Sequence, residues 1–338
     1  MDELGISQAP YLELVERYEE LRNRTARIIP ELEFAAHLPL IDAINRLKRI
    51  RNAVILAHNY QAPEIFHGVA DITGDSLALA QKGAETDAQV IVMAGVHFMA
   101  ETAKILSPEK TVLIPDSRAG CSLAESITAT DIRLLKARYP NVPVVTYVNT
   151  SAEVKAESDI CCTSANAVHV VESLGVPRVI FLPDQYLGKY VASQCAVELI
   201  LWQGACEVHE RFTGVQVRGL RAPGTQVIAH PECPPDVLAE ADFVGSTAAM
   251  VSHIGKTRPA RVVLITECSM SDNISVQFPN VEFTRPCNLC PHMRRITLKN
   301  IYQALLNMQT PVEVEPSVAA RARAAVQRML DIGRREAV

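Results

Sequence analysis

Three repeats of one α/β pattern constrain the fold of this chain more than any other feature. Each repeat starts with a short apolar run that ends in a polar triplet: His58-Asn59-Tyr60, Tyr147-Val148-Asn149 and His230-Pro231-Glu232. An aspartate follows about a dozen residues later, at Asp71, Asp159 and Asp242. A hydroxyl residue that we expect to open a helix stands five positions after each aspartate, at Ser76, Ser164 and Thr247. The aspartates are 88 and 83 residues apart, which indicates a repeated unit of about 85 residues.

Short apolar runs alternate with longer helix-like stretches, which favours an α/β fold with parallel sheets. Three predicted strands fall in each unit: Val54–Ala57, Val90–Ala94, Thr111–Ile114, Val142–Val148, Val179–Leu182, Glu198–Trp202, Gln226–Ala229, Arg261–Ile265 and Val281–Thr284. We interpret the recurring aspartates as caps or turn formers that position each helix.

The repeat also divides the chain into five segments. We predict an N-terminal helical segment (1–40), three units (41–121, 122–206 and 207–290) and C-terminal helices (291–338) that pack on the first unit. Thr297 is the expected N-cap of the first C-terminal helix. A basic helix from Val318 to Arg335 is expected to end the chain.

Charge and hydropathy exclude several function classes. Lys plus Arg number 33 and Asp plus Glu 38, so the net charge of -5 offers no basic field for nucleic acid. The longest apolar run, around Val90–Ala94, is too short for a membrane span of about 20 residues. The acidic N-terminus lacks the signature of a signal peptide, which predicts a cytoplasmic protein. In a reducing cytosol, the nine cysteines should not form a disulfide framework.

Three cysteines stand at equivalent positions of the repeat. Cys121, Cys206 and Cys290 each follow the third predicted strand of a unit, at spacings of 85 and 84 residues. Such positions converge only if the units surround an approximate threefold axis, where three thiolates would bind a soft metal or an iron–sulfur cluster. A [4Fe–4S] cluster with three protein ligands keeps one iron open as a Lewis acid. The alternative is three unrelated core thiols, and Cys287 with Cys290 could instead form a redox or zinc half-site.

Polar side chains should converge near the same place. His58, Tyr60, Tyr147, Asn149, His230 and Glu232 all stand where predicted strands end, and ligands of α/β sheets bind beyond the carboxyl ends of strands. Ser76, Ser164 and Thr247 stand at predicted helix starts, whose free N–H groups suit carboxylate or phosphate. The pattern therefore predicts a site for a small molecule with several anionic groups.

Ordered motifs between about residue 40 and residue 310 resemble those of the quinolinate synthase family. They are AHNYQ at 57–61, GDSLALA at 74–80, FMAETAKIL at 98–106, AGCSLA at 119–124, TYVNTSAEVKAESDICCTSANA at 146–167, LPDQYLG at 182–188, AHPEC at 229–233, GSTAAM at 245–250 and CPHMRRITL at 290–298. The resemblance implies three homologous three-layer αβα sandwich domains with pseudo-threefold symmetry around a central site. It also implies a [4Fe–4S] cluster held by Cys121, Cys206 and Cys290, with one open iron.

The implied activity is a transferase-type dehydrating condensation in de novo NAD biosynthesis. Iminoaspartate, supplied by L-aspartate oxidase or aspartate dehydrogenase, would react with dihydroxyacetone phosphate to give quinolinate, phosphate and two waters. By position, the resemblance assigns catalysis to Tyr60, Glu232 and His58. It assigns substrate binding to His58, Ser76, Tyr147, Asn149, Ser164, His209, His230, Glu232, Ser246 and Thr247. The alternative function is an iron–sulfur redox or sensor protein without substrate chemistry.

Overall fold

The computed structural model describes Gly5 and residues 9–333, so the end of the predicted basic helix, with Arg334 and Arg335, lies outside the described residues. Twelve strands of the described chain form three four-stranded parallel sheets. Every sheet has the same order, in which the first strand of the unit lies between the second and the third. Helices flank the sheets, so the predicted α/β fold with three αβα sandwiches is confirmed.

Three helices precede the first sheet: α1 (Tyr11–Arg17), α2 (Glu19–Thr25) and α3 (Glu31–Arg51). The predicted boundary at residue 40 falls inside α3, which is continuous. The reason is a single apolar stripe on this helix, because Leu38, Ile41 and Ile44 are all buried at helical spacing on both sides of that boundary.

From the first strand of each sheet to the last, the three units share one order of elements. The first contains β1 (Ala53–His58), α4 (Pro63–Phe66), β2 (Ile72–Gly74), α5 (Ser76–Glu85), β3 (Val90–Ala94), α6 (His97–Leu106), β4 (Thr111–Leu113) and α7 (Ser122–Glu125). The second contains α8 (Ala129–Arg138), β5 (Val144–Tyr147), α9 (Ala152–Ala156), β6 (Ile160–Cys162), α10 (Ala167–Ser173), β7 (Arg178–Leu182), α11 (Gln185–Gln194) and β8 (Glu198–Leu201). The third contains α12 (Gly214–Gly219), β9 (Thr225–Ala229), α13 (Pro235–Leu238), β10 (Phe243–Val244), α14 (Thr247–Thr257), β11 (Arg261–Ile265), α15 (Cys268–Ser275) and β12 (Glu282–Thr284).

Nine of these strands overlap the nine predicted apolar runs, and the other three lie in segments where the sequence predicts no strand. The additional strands are β2, β6 and β10, each only two or three residues long, which pair in parallel with β1, β5 and β9. Segments this short carry no apolar periodicity. Their pairing therefore depends on the neighbouring strand rather than on their own residues.

The recurring aspartates position strands and are not helix caps, which corrects our interpretation. The side-chain Oδ2 of Asp71 accepts the backbone N–H of Ile55 at 2.8 Å, and the Asp71 N–H donates to the carbonyl of the same residue at 3.0 Å. Asp159 makes both bonds with Val144, and Asp242 makes both with Val227. Each aspartate thus satisfies both backbone groups of one strand residue immediately before the short edge strand begins.

The C-terminal helices pack on two different units. α16 (Leu298–Asn307) has Thr297 as its N-cap and lies against α3 and β3 of the first unit. α17 (Pro316–Ile332) packs mainly against α9 and β6 of the second unit, whereas the sequence predicts that both helices pack on the first. Among the described residues, no helix has the length and apolar character needed to cross a bilayer.

Cys268 and Cys287 are joined in a disulfide, a pairing that the sequence does not predict. The physical reason is local pairing. Cys268 opens α15, and its N–H donates to the carbonyl of Asn288 at 3.1 Å, which holds the Cys287 backbone alongside with a Cα–Cα distance of 4.8 Å. That separation lies within the range that a disulfide spans.

Candidate active site

All three units contribute to one cavity, which encloses about 740 Å³ of space including its open mouth. Its walls include nearly every predicted site residue: His58, Tyr60, Ser76, Cys121, Tyr147, Asn149, Ser164, Cys206, His209, His230, Glu232, Thr247 and Cys290. The exception is Ser246. Its hydroxyl accepts the N–H of Ala249 at 3.3 Å and caps α14, so the structure does not place this side chain in the cavity wall.

The parallel sheets explain why the polar residues meet. His58 is the last residue of β1, Tyr147 is the last residue of β5, and His230 directly follows β9. The first strand is an inner strand of every sheet, so its carboxyl end lies at the centre of the sheet edge. Side chains there project beyond the sheet into the crevice where α/β proteins bind ligands.

His58 and His230 hold their rings in the same way. In each case Nδ1 accepts the backbone N–H of the residue two positions later, which is Tyr60 at 3.2 Å or Glu232 at 3.4 Å. Burial lowers the pKa of His58 to about 4 and the pKa of His230 to about 3, so both rings are neutral near pH 7. Since Nδ1 accepts, the ring proton is on Nε2, which can donate to a ligand oxygen.

A buried carboxylate, Glu232, lies among these groups. Its Oε1 accepts a hydrogen bond from the Tyr147 hydroxyl at 2.5 Å, and Nδ1 of His209 lies 2.8 Å from its Oε2. Burial opposes the charge on Glu232. The neighbouring histidines and the hydrogen bonds from His209 and Tyr147 outweigh burial and lower the pKa of Glu232 to about 2. The carboxylate is therefore an ionised proton acceptor in a water-poor site.

The two phenols of the site are protonated near neutral pH. Burial raises the pKa of Tyr147 well above its ordinary value, and the charge of Glu232 raises it further. The same two causes raise the pKa of Tyr60. Tyr60 also lies edge-on against the ring of His58, with ring centroids 4.5 Å apart. Each phenol thus offers an O–H group rather than a phenolate.

Two helix N-termini line the cavity. α5 begins at Ser76 and α14 begins at Thr247, whose hydroxyl also accepts a hydrogen bond from Asn59 at 2.8 Å. In the second unit the helix α10 begins only at Ala167, so Ser164 lies in the preceding turn instead of opening a helix. The first and third units therefore each place a helix N-terminus beside the cavity, and the carboxylate of Asp75 caps the one at α5. The N–H groups that the caps leave free can bind an anion.

The three cysteine loops are anchored by one repeated backbone bond. The first residue of the helix after β3, β7 or β11 donates its N–H to the carbonyl two positions before the cysteine. The pairs are His97 with Ala119 at 2.7 Å, Gln185 with Gly204 at 2.9 Å and Cys268 with Asn288 at 3.1 Å. This shared bond explains why residues about 85 positions apart reach one cavity.

The sulfur atoms also have equivalent surroundings. Each sulfur faces the backbone N–H groups of the residues two and three positions after its cysteine. For Cys121 these residues are Leu123 and Ala124. Burial outweighs these donors and raises the pKa of Cys121 to about 12 and the pKa of Cys290 to about 11. It raises the pKa of Cys206 well above the ordinary value. A bound cation would reverse this balance, because it stabilises the thiolates directly.

Polar side chains link the three cysteine loops to one another. Ser122, next to Cys121, donates its hydroxyl to the carbonyl of Ala205 at 3.2 Å and accepts the N–H of Glu207 at 3.1 Å. The Glu207 carboxylate in turn lies 2.9 Å from Nε2 of His292, two residues after Cys290. The loops of the first, second and third units are thus connected in series by protein contacts alone.

Several wall residues were missed by sequence reasoning. Ser122, Glu207 and His292 lie within two positions of a predicted cysteine, so the cysteine repeat could have found them. Thr266, just behind the wall, had no such signal, although its hydroxyl contacts Tyr60. The buried Oδ1 of Asn149 has no hydrogen-bond partner among the described residues, which marks it as an acceptor for a ligand.

Comparison with known proteins gives consistent matches over most of the chain. The family model described as "Quinolinate synthetase A protein" matches residues 42–331. "Quinolinate synthase 2" of Mesorhizobium japonicum is 68% identical over 314 residues, which are 92% of this chain and 97% of that protein. "Quinolinate synthase" of Agrobacterium fabrum is 66% identical over 314 residues, 92% of this chain and 91% of that protein. "Quinolinate synthase" of Xylella fastidiosa is 65% identical over 294 residues, 86% of this chain and 87% of that protein.

Proposed function

Because the chain belongs to the quinolinate synthetase A family, we propose that its cavity condenses iminoaspartate with dihydroxyacetone phosphate to give quinolinate, phosphate and two waters. Relatives between 56% and 68% identical are named quinolinate synthase, and the chain is an enzyme of this kind, active in NAD biosynthesis. In this proposal, iminoaspartate comes from an L-aspartate oxidase or an aspartate dehydrogenase.

One observation carries the proposal. A single cavity collects three cysteines, an ionised carboxylate, two protonated phenols and two neutral histidines from three separate sheets. A redox relay or a sensor needs no acid or base beside its metal. The polar groups therefore favour chemistry on a bound substrate over the alternative of electron transfer alone.

The donor set fits an iron–sulfur cluster. Cys121, Cys206 and Cys290 are free thiols that line the cavity, and each sulfur faces two backbone N–H groups that favour the thiolate form. Cys287, the remaining cysteine of the CxxC pair, is held in a disulfide. We assign the three thiolates as ligands of a [4Fe–4S] cluster. When bound, such a cluster supplies an open iron that polarises a substrate oxygen.

The walls also fit the charge of the substrates. Iminoaspartate carries two carboxylates and dihydroxyacetone phosphate carries a phosphate, and anions bind well at helix N-termini. Ser76 and Thr247 open the two helices at the cavity, and Ser164 adds a third hydroxyl from the second unit. We propose that these groups hold the anionic ends of the two substrates.

The remaining groups can orient the substrates and move protons. His58 and His230 present Nε2–H donors, and the unpartnered Oδ1 of Asn149 presents an acceptor. Glu232 is ionised and can take a proton from the substrate, while the Tyr147 hydroxyl steadies that carboxylate at 2.5 Å. Holding the two molecules in one orientation lowers the entropic part of the barrier, and the condensation needs this because it joins two flexible reactants.

Anaerobic purification with iron and sulfide counting, followed by a quinolinate assay, tests the proposal. We expect the wild-type chain to hold about four irons and to form quinolinate. Changing Cys121, Cys206 or Cys290 to Ser should abolish cluster loading or activity in each case, because a serine hydroxyl is a poor ligand for iron near neutral pH. Cys195→Ser is the matched control, since Cys195 is a free, half-exposed thiol outside the cavity wall.

The alternative function gives a different result in the same preparation. With an open iron, adding a dicarboxylate should shift the anaerobic absorption or paramagnetic spectrum of the cluster. A spectrum that ignores the dicarboxylate, together with no quinolinate formation, would support the electron relay. A full cluster and full rate in any of the three ligand variants would refute the ligand assignment.

A further inference from the structure

The cavity wall contains carboxylates but no lysine or arginine to balance them. Asp75, Glu207 and Glu232 line the cavity, and none of the described wall residues is a lysine or an arginine. Burial lowers the pKa of His58 to about 4 and that of His230 to about 3, so neither ring is charged near pH 7. The proposed substrates carry two carboxylates and a phosphate. Their binding therefore calls for a cation close to the wall.

One buried ammonium group lies directly behind this wall. Lys155, in α9 of the second unit, is 0% exposed and is the only buried lysine or arginine among the described residues. Its Nζ lies 5.4 Å from the centre of the Phe98 ring, and Phe98 belongs to the wall. The same Nζ donates a hydrogen bond to the carbonyl of Thr150, the neighbour of the wall residue Asn149. The ammonium is thus one side chain away from the cavity.

The surroundings of Lys155 leave its charge only partly compensated. Among the described residues, no carboxylate forms an ion pair with this ammonium, whose contacts are a carbonyl and an aromatic ring. Glu101 is also buried, but its carboxylate accepts the N–H of Ala152 at 3.1 Å and lies 3.8 Å from Nδ1 of His97. Burial lowers the pKa of Lys155, while negative charge on Cys161 or Glu101 would favour the ammonium form. A charge in such a place is costly for folding and attracts anions strongly, because little water screens it.

We propose that Lys155 is a positioning residue of the active site, whose buried positive charge acts across the wall at Phe98 to attract and hold the anionic substrates. The inference rests on the proposed function, because the substrates named there supply the negative charge. A charge of this kind acts on bound substrate and on the transition state alike, so it should lower KM and leave kcat nearly unaffected. The same field reaches Cys121, since charges on that sulfur and on Lys155 affect each other.

Lys155→Met tests the proposal because it removes the charge and keeps the length of the side chain. Two unit charges about 10 Å apart, at an effective dielectric constant of about 20, attract each other enough to change a dissociation constant roughly tenfold. We therefore expect KM for dihydroxyacetone phosphate to rise about tenfold, while kcat changes less than about threefold. Lys155→Arg keeps the charge and should recover most of the affinity.

Lys104→Met is the matched control for that measurement. The ammonium of Lys104 also donates to a backbone carbonyl, that of Lys110 at 3.1 Å, and its side chain is 14% exposed. Lys104 is not a wall residue, and Glu313 lies 3.4 Å from its Nζ. We expect KM and kcat of this variant to stay at the wild-type values.

Glu101→Gln separates the effect of charge from damage to the fold. The amide oxygen can still accept the N–H of Ala152, whereas a negative charge near Lys155 is lost. We expect KM to stay equal or to fall in this variant, which is the opposite of the effect of Lys155→Met. If Lys155→Met does not fold, the double variant Lys155→Met/Glu101→Gln removes both charges and carries the same measurement.

A second measurement is independent of turnover. The midpoint potential of the iron–sulfur cluster, measured by anaerobic redox titration with paramagnetic detection, responds to fixed charges nearby because reduction adds an electron. Loss of a positive charge should shift this potential to more negative values in Lys155→Met. Lys155→Arg and Lys104→Met should keep the wild-type potential.

The outcomes separate this inference from the proposed function. Wild-type chain that loads a cluster and makes no quinolinate would overturn the function, and the potential would still test the charge of Lys155. A KM within twofold of wild type in Lys155→Met, or a potential that does not move, would overturn the inference. An equal rise of KM in Glu101→Gln and Lys155→Met would overturn it as well, because it would indicate a structural role for both residues.

Discussion

Glu232 illustrates how single residues set the chemistry of this cavity. A carboxylate that is 3% exposed would be strongly destabilised if it were unpaired. Here the nearby rings of His230 and His209, with the hydrogen bonds that Glu232 accepts from His209 and Tyr147, keep it charged. The charge is therefore a property of four side chains, and a substitution at any of them should change how readily the carboxylate accepts a proton.

Glu232→Gln tests that role with almost no change in shape. The amide still accepts a hydrogen bond from Tyr147 but can no longer take a proton. We expect the rate of quinolinate formation to fall by about 100- to 10,000-fold, the usual contribution of a general base. Iron and sulfide content should remain at the wild-type level, because Glu232 is not one of the three assigned ligands.

Glu240→Gln is the matched control for that measurement. Glu240 lies at the surface, where it pairs with Arg218 at 2.5 Å, and its substitution should leave the rate unchanged. If Glu232→Gln turned over at the wild-type rate, Glu232 would have no part in proton transfer. If it lost the cluster, the carboxylate would have to act on metal loading instead.

The repeat could predict most of the cavity residues and could not predict Thr266. Residues that recur at the ends of the first strands, such as His58 and His230, are visible because three copies of one unit show them in step. Thr266 follows β11, and the residues after the corresponding strands β3 and β7 are Gly95 and Pro183. Neither has a polar side chain, so the repeat offers no signal at this position.

Among the elements, the short edge strands depend on their neighbours for stability. β10 has only two residues and is held beside β9 by the double contact of Asp242 with Val227, whose side-chain bond is 2.7 Å. Asp242→Ala removes the acceptor of a buried N–H group. We expect the free energy of unfolding to fall by about 1 to 3 kcal/mol, measured by urea denaturation.

Asp242→Asn separates the hydrogen bond from the charge. The asparagine oxygen can still accept the N–H of Val227, whereas the ion pair with Arg221 at 3.0 Å is lost. Because an exposed ion pair contributes little, we expect Asp242→Asn to cost less than half as much as Asp242→Ala. Equal losses in the two variants would mean that charge, and not the bond to the strand, explains the recurrence of aspartate.

The sequence predicts a strand where an apolar run is long enough to be recognised. It predicts none where a very short segment forms a strand only by pairing with the neighbouring strand. β3 and β11 are buried almost throughout and were predicted with their full bounds. β2 and β10 are not buried throughout, and β6 is buried but only three residues long, so none of them gives such a signal. The Cys268–Cys287 disulfide was missed for a similar reason, since the contact arises from the pairing of α15 with the loop at Asn288, which a spacing of 19 residues does not indicate.

At the scale of the whole molecule, the three units are not joined in the same way. One apolar core joins the first unit, part of the second unit and the C-terminal helices. The rest of the second unit forms a cluster of its own, and both clusters of the third unit are separate from the shared core. Polar contacts also attach the third unit to the other two. Asn273 donates to the carbonyl of Asn59 at 3.0 Å, and Nε2 of His292 lies 2.9 Å from the carboxylate of Glu207. Which units share a core depends on tertiary packing, and the repeat alone could not predict it.

This asymmetry makes the proposed cluster a structural link as well as a chemical one. Its ligands would come from one loop of each unit, so binding should stabilise all three loops together. We expect hydrogen–deuterium exchange, measured without air, to rise on removal of iron in three segments at once: residues 119–125, 204–210 and 288–295. The helix α8, which contributes no wall residue, should keep its exchange rate. A rise confined to one segment would mean that the three cysteines do not bind one common cluster, because removal of a common cluster would release all three loops.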